Sequence, residues 1–270
     1  MIIVKIIGGL GNQLFQLATA IHLKKNGKKV ILDISSFKTY KLHGGYQLDN
    51  FNHLIPNLKN SLFVKIFKIF FKSLKYEKLI YKNLNKTFLK SKYLYVDGYF
   101  QNEKYFMESK KHITDCLNKS ILIENNTFKR IKEDIISNNR CSIHVRRGDY
   151  TNSKNIKIHG LLNIKYYRDA IEIIKIKGIQ QFIVFSDDID WCKKNLKIPK
   201  INIIYSDFGF NQIEDLFLMS FCSSNIIANS SFSWWGAWLN QKPKKIVIAP
   251  KKWLVNDSSV DVVPENWIKI

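Results

Sequence analysis

The sequence predicts an α/β protein built on parallel, doubly wound sheets, and three features carry that prediction. Short apolar runs alternate with stretches of helical periodicity. The runs are near-continuous rather than alternating, as strands covered on both faces require. They also end in polar groups ("HVRRGDY", "FSDD", "YSD", "ANSSFSWW"), so that one sheet edge collects the chemistry.

The chain opens with "IIVKII" (Ile2–Ile7), which reads as a strand, and "GGLGN" as a turn. "QLFQLATAIHLKK" (Gln13–Lys25) then reads as a helix stopped by Asn26-Gly27, and "KVILD" (Lys29–Asp33) as the next strand. Leu14 stands where a dinucleotide fingerprint needs its third small residue, so the glycines do not spell that motif. Between residues 40 and 138 the pattern is less regular. Its clearest element is "SLFVKIFKIFFKSLK" (Ser61–Lys75), which has helical spacing. Leu62, Phe63, Ile66, Phe67, Phe70 and Leu74 fall on one side, and Lys65, Lys68, Lys72 and Lys75 on the other. Such a helix either packs its apolar face on the core, with Phe63, Phe67 and Phe70 inside, or lies on an anionic membrane face.

From Arg140 the alternation is regular. "CSIHV" is a strand and "NIKYYRDAIEIIKIK" (Asn163–Lys177) a helix closed by Gly178. "QFIVFSDD" (Gln181–Asp188) and "INIIYSD" (Ile201–Asp207) are strands, and "QIEDLFLMSFC" (Gln212–Cys222) is a helix. "NIIANSS" (Asn225–Ser231) is a strand, "SWWGAWLN" opens a helix, and "KKIVIAP" (Lys244–Pro250) is the last strand. The change in regularity puts a domain boundary near residue 139, giving domains of residues 1–138 and 139–270.

The 270 residues carry a formal net charge of +21, which suits an anionic partner: a nucleotide, a nucleic acid or an acidic membrane. A chain rich in Lys, Ile and Asn reaches such a charge by composition alone. No nucleic-acid-binding module is recognisable, and the arginines sit at a strand end rather than along a basic stripe. Cys116, Cys141, Cys192 and Cys222 are widely spaced with no C-x-x-C, and read as reduced core thiols. The first residues read as a buried strand and not a signal peptide, and no stretch has the apolar length of a membrane span. A cytoplasmic protein is expected.

The basic residues are nearly all lysine; Arg130, Arg140, Arg146, Arg147 and Arg168 are the exceptions. Two adjacent arginines at a strand end are therefore a marked choice. A guanidinium offers a planar, bidentate fork for phosphate or carboxylate oxygens, which an ammonium does not. Arg146 and Arg147 are candidates to neutralise a diphosphate, with Gly148 permitting close backbone approach. Ser230, Ser231 and Ser233 offer hydroxyls and backbone N–H groups near a helix start. Asp187 and Asp188 have four open roles: accepting from a guanine edge, binding a ribose, holding a metal through the D-x-D of Asp188–Asp190, or capping a helix. Trp234, Trp235 and Trp238 are either core or sugar-stacking residues.

Six segments in order ("GGLGNQLFQ", "GYFQNEKYF", "SIHVRRGDY", "YYRDAI", "FSDDIDWC" and "ANSSFSWWGAWLN") resemble the bacterial α-1,2-fucosyltransferases of glycosyltransferase family 11. The resemblance runs along nearly the whole chain. It implies a GT-B-like fold of two Rossmann-like domains whose parallel sheets face a cleft, with an N-terminal acceptor-side domain and a C-terminal GDP-fucose-binding domain. It further implies GDP-β-L-fucose as co-substrate, no cofactor and no metal. The product would be an inverted α-1,2 link to a terminal galactose of an oligosaccharide or a lipid-linked O-antigen. A lipid-linked acceptor would bring the protein to the inner face of the plasma membrane. On the matched positions, the implied donor-binding residues are Gly9, Gly11, Asn12, Gln13, His144, Arg146, Arg147, Asp187, Asp188, Ser230, Ser231, Phe232 and Ser233. Arg146, His144 and Asp149 are the catalytic candidates, and His159 is a further candidate base. "FCSSN" (Phe221–Asn225) departs from relatives that carry a basic residue and a histidine after the cysteine. A metal-dependent transferase of another nucleotide sugar is the alternative enzyme.

Overall fold

The computed structural model describes residues 1–40, 42–75, 90–121, 123, 125–198, 201–255 and 261–270. The chain forms two compact units, Met1–Leu122 and Ile123–Ile270. Each is built on a parallel sheet, so the α/β class and the two Rossmann-like sheets expected from the sequence are present. The division falls ahead of the helix Asn126–Ser137 and not at 138/139. That helix packs in the second unit. Phe128 meets Phe210 edge-on at 5.9 Å, and the Lys132 ammonium lies 4.3 Å over the Phe221 ring.

In the first unit β1 (Ile2–Lys5), β2 (Val30–Asp33), β3 (Asn57–Leu58), β4 (Ser73–Lys75) and β5 (Leu94–Asp97) are ordered β3-β2-β1-β5-β4, all parallel. Ile2, Ile3 and Val4 are fully buried at its centre. Helix α1 (Leu10–Lys25) follows β1 and begins three residues before Gln13. Gly8 makes the turn at φ +89°, where a Cβ would also lie 2.8 Å from Asn12 Nδ2.

Helix α2 (Ser61–Phe70) starts at Asn60, whose side-chain oxygen accepts from the Leu62 and Phe63 N–H groups. It does not run to Lys75. Phe71 is extended, and Ser73–Lys75 becomes β4, pairing with β5. The β5 edge gives this backbone a ladder that a longer helix would forgo. Only Val64 and Phe67 of α2 are buried, against Ile3 and Tyr95. The core placement of Phe63 and Phe70 does not hold, because both are exposed.

In the second unit the strands are β6 (Cys141–Val145), β7 (Gln181–Ser186), β8 (Asn202–Tyr205), β9 (Ser224–Ile226), β10 (Val247–Ala249) and β11 (Ile268–Lys269). They are ordered β11-β10-β9-β6-β7-β8, and every pair is parallel. The chain winds outward from β6 through β7 to β8. It then returns to β9 and winds the other way, so the strand order reverses between β6 and β9. In an open parallel sheet that reversal opens a crevice beyond the strand carboxyl ends, where ligands bind.

Helix Ser231–Leu239 is enclosed beyond its first turn. Trp234, Trp235 and Trp238 are core residues, and the Trp234 indole donates to the Val262 carbonyl at 2.9 Å. Gly236 lets this helix approach Gln212–Phe221, since a Cβ there would meet Met219 at 2.8 Å. Cys141, Cys192 and Cys222 are buried free thiols, as expected, whereas Cys116 is only half-buried and not a core residue. No helix among the described residues is long and apolar enough to cross a membrane.

Candidate active site

The switch point of the second unit brings together the segments that follow β6 and β9, with the end of β7 beside them. Five buried residues of β6 hold its end rigidly, and the chain then turns into Arg146 and Arg147. Arg146 donates from Nη2 to Asp149 Oδ1 at 2.6 Å and pairs through Nη1 with Asp187 Oδ2 at 2.9 Å. Its guanidinium also lies 5.4 Å from the Tyr150 ring centre. The Arg147 backbone N–H donates to Asp187 Oδ1 at 2.8 Å, its Nε donates to Asp188 Oδ2 at 3.1 Å, and its guanidinium stacks on Trp191 at 4.1 Å. The two forks are thus aimed by carboxylates and aromatic rings, and donors fixed in this way stabilise charge without reorganising.

Both aspartates after β7 serve this framework. Asp187 bridges Arg146 and Arg147. Asp188 caps the helix Ile189–Asn195 by accepting from Trp191 N–H at 3.1 Å, and holds Arg147 with its other oxygen. Asp190 lies in the first turn of that helix. Gly148 does permit a close approach, and the group that approaches is Asp187: a Cβ on residue 148 would lie 2.5 Å from Asp187 Oδ2.

From the β9 side comes the start of helix Ser231–Leu239. Ser230 is its N-cap and makes no side-chain capping bond, and Ser231 and Phe232 are partly exposed at the first turn. Uncapped N–H groups at a helix start attract anions. Ser233 differs from its neighbours: it is fully buried, and its hydroxyl donates to the Ser230 carbonyl at 3.3 Å. Its contribution is to the turn itself.

His144, near the end of β6, is 4% exposed and packs against Phe232, with ring centres 5.3 Å apart. Burial, followed by the nearby Arg146 charge, pushes its pKa down to about 3, so the ring is neutral at ordinary pH. Its Nδ1 is buried and has no hydrogen-bond partner among the described residues. Asp149 is tied to Arg146, and His159 stacks on Tyr150 with ring centres 4.6 Å apart.

Four supporting residues were not assigned from the sequence. Tyr150 donates to the Asn229 carbonyl at 3.1 Å, joining the β6 segment to the β9 segment; burial raises its pKa to about 12 and keeps the proton on. Tyr166 donates to the Ile227 carbonyl at 2.6 Å, and Tyr167 hydrogen-bonds the Arg146 backbone. Trp191 is the platform under Arg147. The motifs "HVRRGDY", "YYRDAI" and "FSDDIDWC" contain all four, but only the folded chain reveals their partners.

In the first unit the glycine segment is tied down from within. Gln13 is fully buried, donates to the Gly8 and Gly45 carbonyls at 2.7 Å each, and accepts from Gln47 N–H at 3.0 Å. Asn12 accepts from Gln101 at 2.6 Å. Gly9 is the N-cap of α1, and Gly11 is buried in its first turn. Gln13 therefore positions the loop around residues 43–47, where His43, Gly44 and Gly45 all have positive φ.

A doubly wound parallel sheet with paired arginines and an open helix start at its switch point is an α/β architecture suited to an anionic ligand. The chain belongs to glycosyltransferase family 11: the family model described as "Glycosyl transferase family 11" matches residues 1–270. It is therefore a glycosyltransferase. An alpha-1,2-colitosyltransferase of Escherichia coli is 36% identical over 290 aligned residues, covering 100% of this chain and 99% of that protein. The O-antigen biosynthesis glycosyltransferase WbnK of Escherichia coli is 34% identical over 297 aligned residues, covering 97% of this chain and 98% of that protein. Galactoside alpha-(1,2)-fucosyltransferase 1 of Aotus azarae is 29% identical over 101 residues, covering 36% of this chain and 28% of that protein.

Proposed function

We propose that this glycosyltransferase moves an L-fucose-type 6-deoxyhexose from its GDP ester to the 2-hydroxyl of a terminal galactose, with inversion and without a metal. The observation that carries the reading is the carboxylate-anchored pair Arg146 and Arg147 after β6, on the sheet edge where an uncapped helix start follows β9. A departing nucleoside diphosphate gains negative charge as the glycosidic bond breaks, and fixed guanidinium groups stabilise that charge. The glycosyl centre is oxocarbenium-like at the transition state, so leaving-group stabilisation counts for more than a strong base. The weak basicity of His144 and the engaged state of Asp149 accord with such a balance.

Asp188, the first carboxylate of the Asp188–Asp190 motif, has one oxygen on Arg147 and the other on the Trp191 N–H, which disfavours the D-x-D metal role. Turnover is expected to persist in EDTA. Loss on chelation with rescue by manganese would favour the metal-dependent alternative.

Two donors have specific support. L-Fucose follows from the motif resemblance and the partial relative named for it. Its 3-deoxy form, colitose, follows from the full-length E. coli relative. The test supplies GDP-L-fucose and GDP-L-colitose in parallel with β-galactoside acceptors, reads products by mass spectrometry, and assigns linkage by NMR. Transfer of either sugar to galactose O2 is the expected result, and the faster donor decides between them. Transfer from a UDP-sugar alone, or to another hydroxyl, would overturn the reading.

A further inference from the structure

We propose that the outer ridge of α2 is a docking surface for an anionic lipid bilayer. This inference is independent of the proposed donor and acceptor. Among the described residues, Val64 and Phe67 are the α2 side chains buried against the sheet. The residues opposite that seam are large, apolar and exposed: Leu62 64%, Ile66 45%, Ile69 77% and Phe70 74%. Their positions i, i+4, i+7 and i+8 make one continuous stripe pointing away from the sheet. A soluble surface helix carries polar side chains there. Beside the stripe runs an aromatic rim: Phe63 lies 6.3 Å from Phe67, Phe67 4.6 Å from Phe71, and Phe71 stacks on Tyr93 at 4.6 Å. Phe63, Phe71 and Tyr93 are themselves exposed, and tyrosine suits the boundary between headgroups and acyl chains.

Charge identifies the occupant. Between Asp49 and Asp97 the sequence has ten lysines and one acidic residue, Glu77. Lys59, Lys65, Lys72, Lys90 and Lys92 are exposed, and Lys68 lies 3.9 Å over the Tyr95 ring at the helix flank. A second copy of this surface would bring lysine against lysine. A neutral apolar partner would leave the lysines without a counter-charge. An anionic bilayer satisfies both features at once, with acyl chains for the stripe and headgroups for the lysines.

The test is co-sedimentation of the full chain with vesicles of phosphatidylcholine alone and with vesicles containing phosphatidylglycerol. Wild type should sediment with the anionic vesicles at low salt, sediment poorly with neutral ones, and release as salt rises. A variant with Leu62→Ser, Ile66→Ser, Ile69→Ser and Phe70→Ser should bind about tenfold more weakly or worse. A variant with Lys59→Gln, Lys65→Gln and Lys72→Gln should also weaken and show a smaller salt dependence. Both should keep wild-type Tm and GDP affinity, because the altered side chains are exposed. Failure of wild type to bind anionic vesicles at low salt overturns the proposal. So does binding unchanged by the serine variant. A large fall in its Tm would mean that the stripe is covered within the chain. A lipid-free dimer that the serine variant dissociates would assign the stripe to a second copy.

Discussion

Arg146 is the residue on which the site turns, because one guanidinium spans Asp149 and Asp187 and still presents donors to a ligand. Arg146→Lys keeps the charge but cannot hold both carboxylates in one plane. We expect kcat to fall by about 10²–10³-fold, the scale seen when one pre-aimed donor is removed from a developing anion. The side chain is partly exposed, so Tm should hardly move; a near-normal kcat would remove Arg146 from the chemistry. Gly148→Ala is a complementary probe, since its methyl group would meet Asp187 Oδ2 at 2.5 Å. Turnover should fall by about tenfold or more as Asp187 releases the two arginines, with the circular dichroism spectrum unchanged. His144 gives a pH signature. Its folded pKa is lowered to about 3. Below the ordinary histidine range the unfolded chain takes up a proton that the folded chain refuses, so stability falls as pH drops from about 6.5 toward 3. Asp215 opposes this: burial raises its pKa to about 7, so its contribution is lost as pH rises through that value. The effect of His144 is therefore read by difference. His144→Gln should show a shallower loss of urea midpoint between pH 7 and pH 5 than wild type, and equal slopes would contradict the burial argument.

Elements explain what the sequence disclosed and what it withheld. Strands β6, β7 and β9 were legible because apolar runs end abruptly in polar residues. Arg146, Arg147, Asp187 and Ser230 could thus be placed at one sheet edge from spacing alone. The switch point was not legible, because strand order depends on which long-range neighbours pair. The end of α2 was hidden for a related reason. Apolar periodicity continues past Phe70, and only the open edge of β5 makes an extended Ser73–Lys75 preferable. Side-chain partners distant in sequence were equally invisible: the motif placed Gln13 at the donor side, and only the folded chain shows its amide as the bolt between the glycine turn and the loop at Gly45. Gln13→Leu should leave two carbonyls and one N–H unpaired inside the first unit, costing about 2–4 kcal/mol. Calorimetry would register this as a lower Tm, and an unchanged Tm would mean the loop is held by other contacts.

Across the whole molecule, the central proposal is that a nucleotide binds the second unit with the arginine pair, not a metal, as its electrostatic partner. Isothermal titration of GDP and of guanosine tests this most directly, with wild type and Arg146→Ala measured in EDTA-containing buffer. Wild type should bind GDP far more tightly than guanosine, and Arg146→Ala should remove most of that difference while leaving guanosine affinity unchanged. Equal affinity of the two proteins for GDP would contradict it.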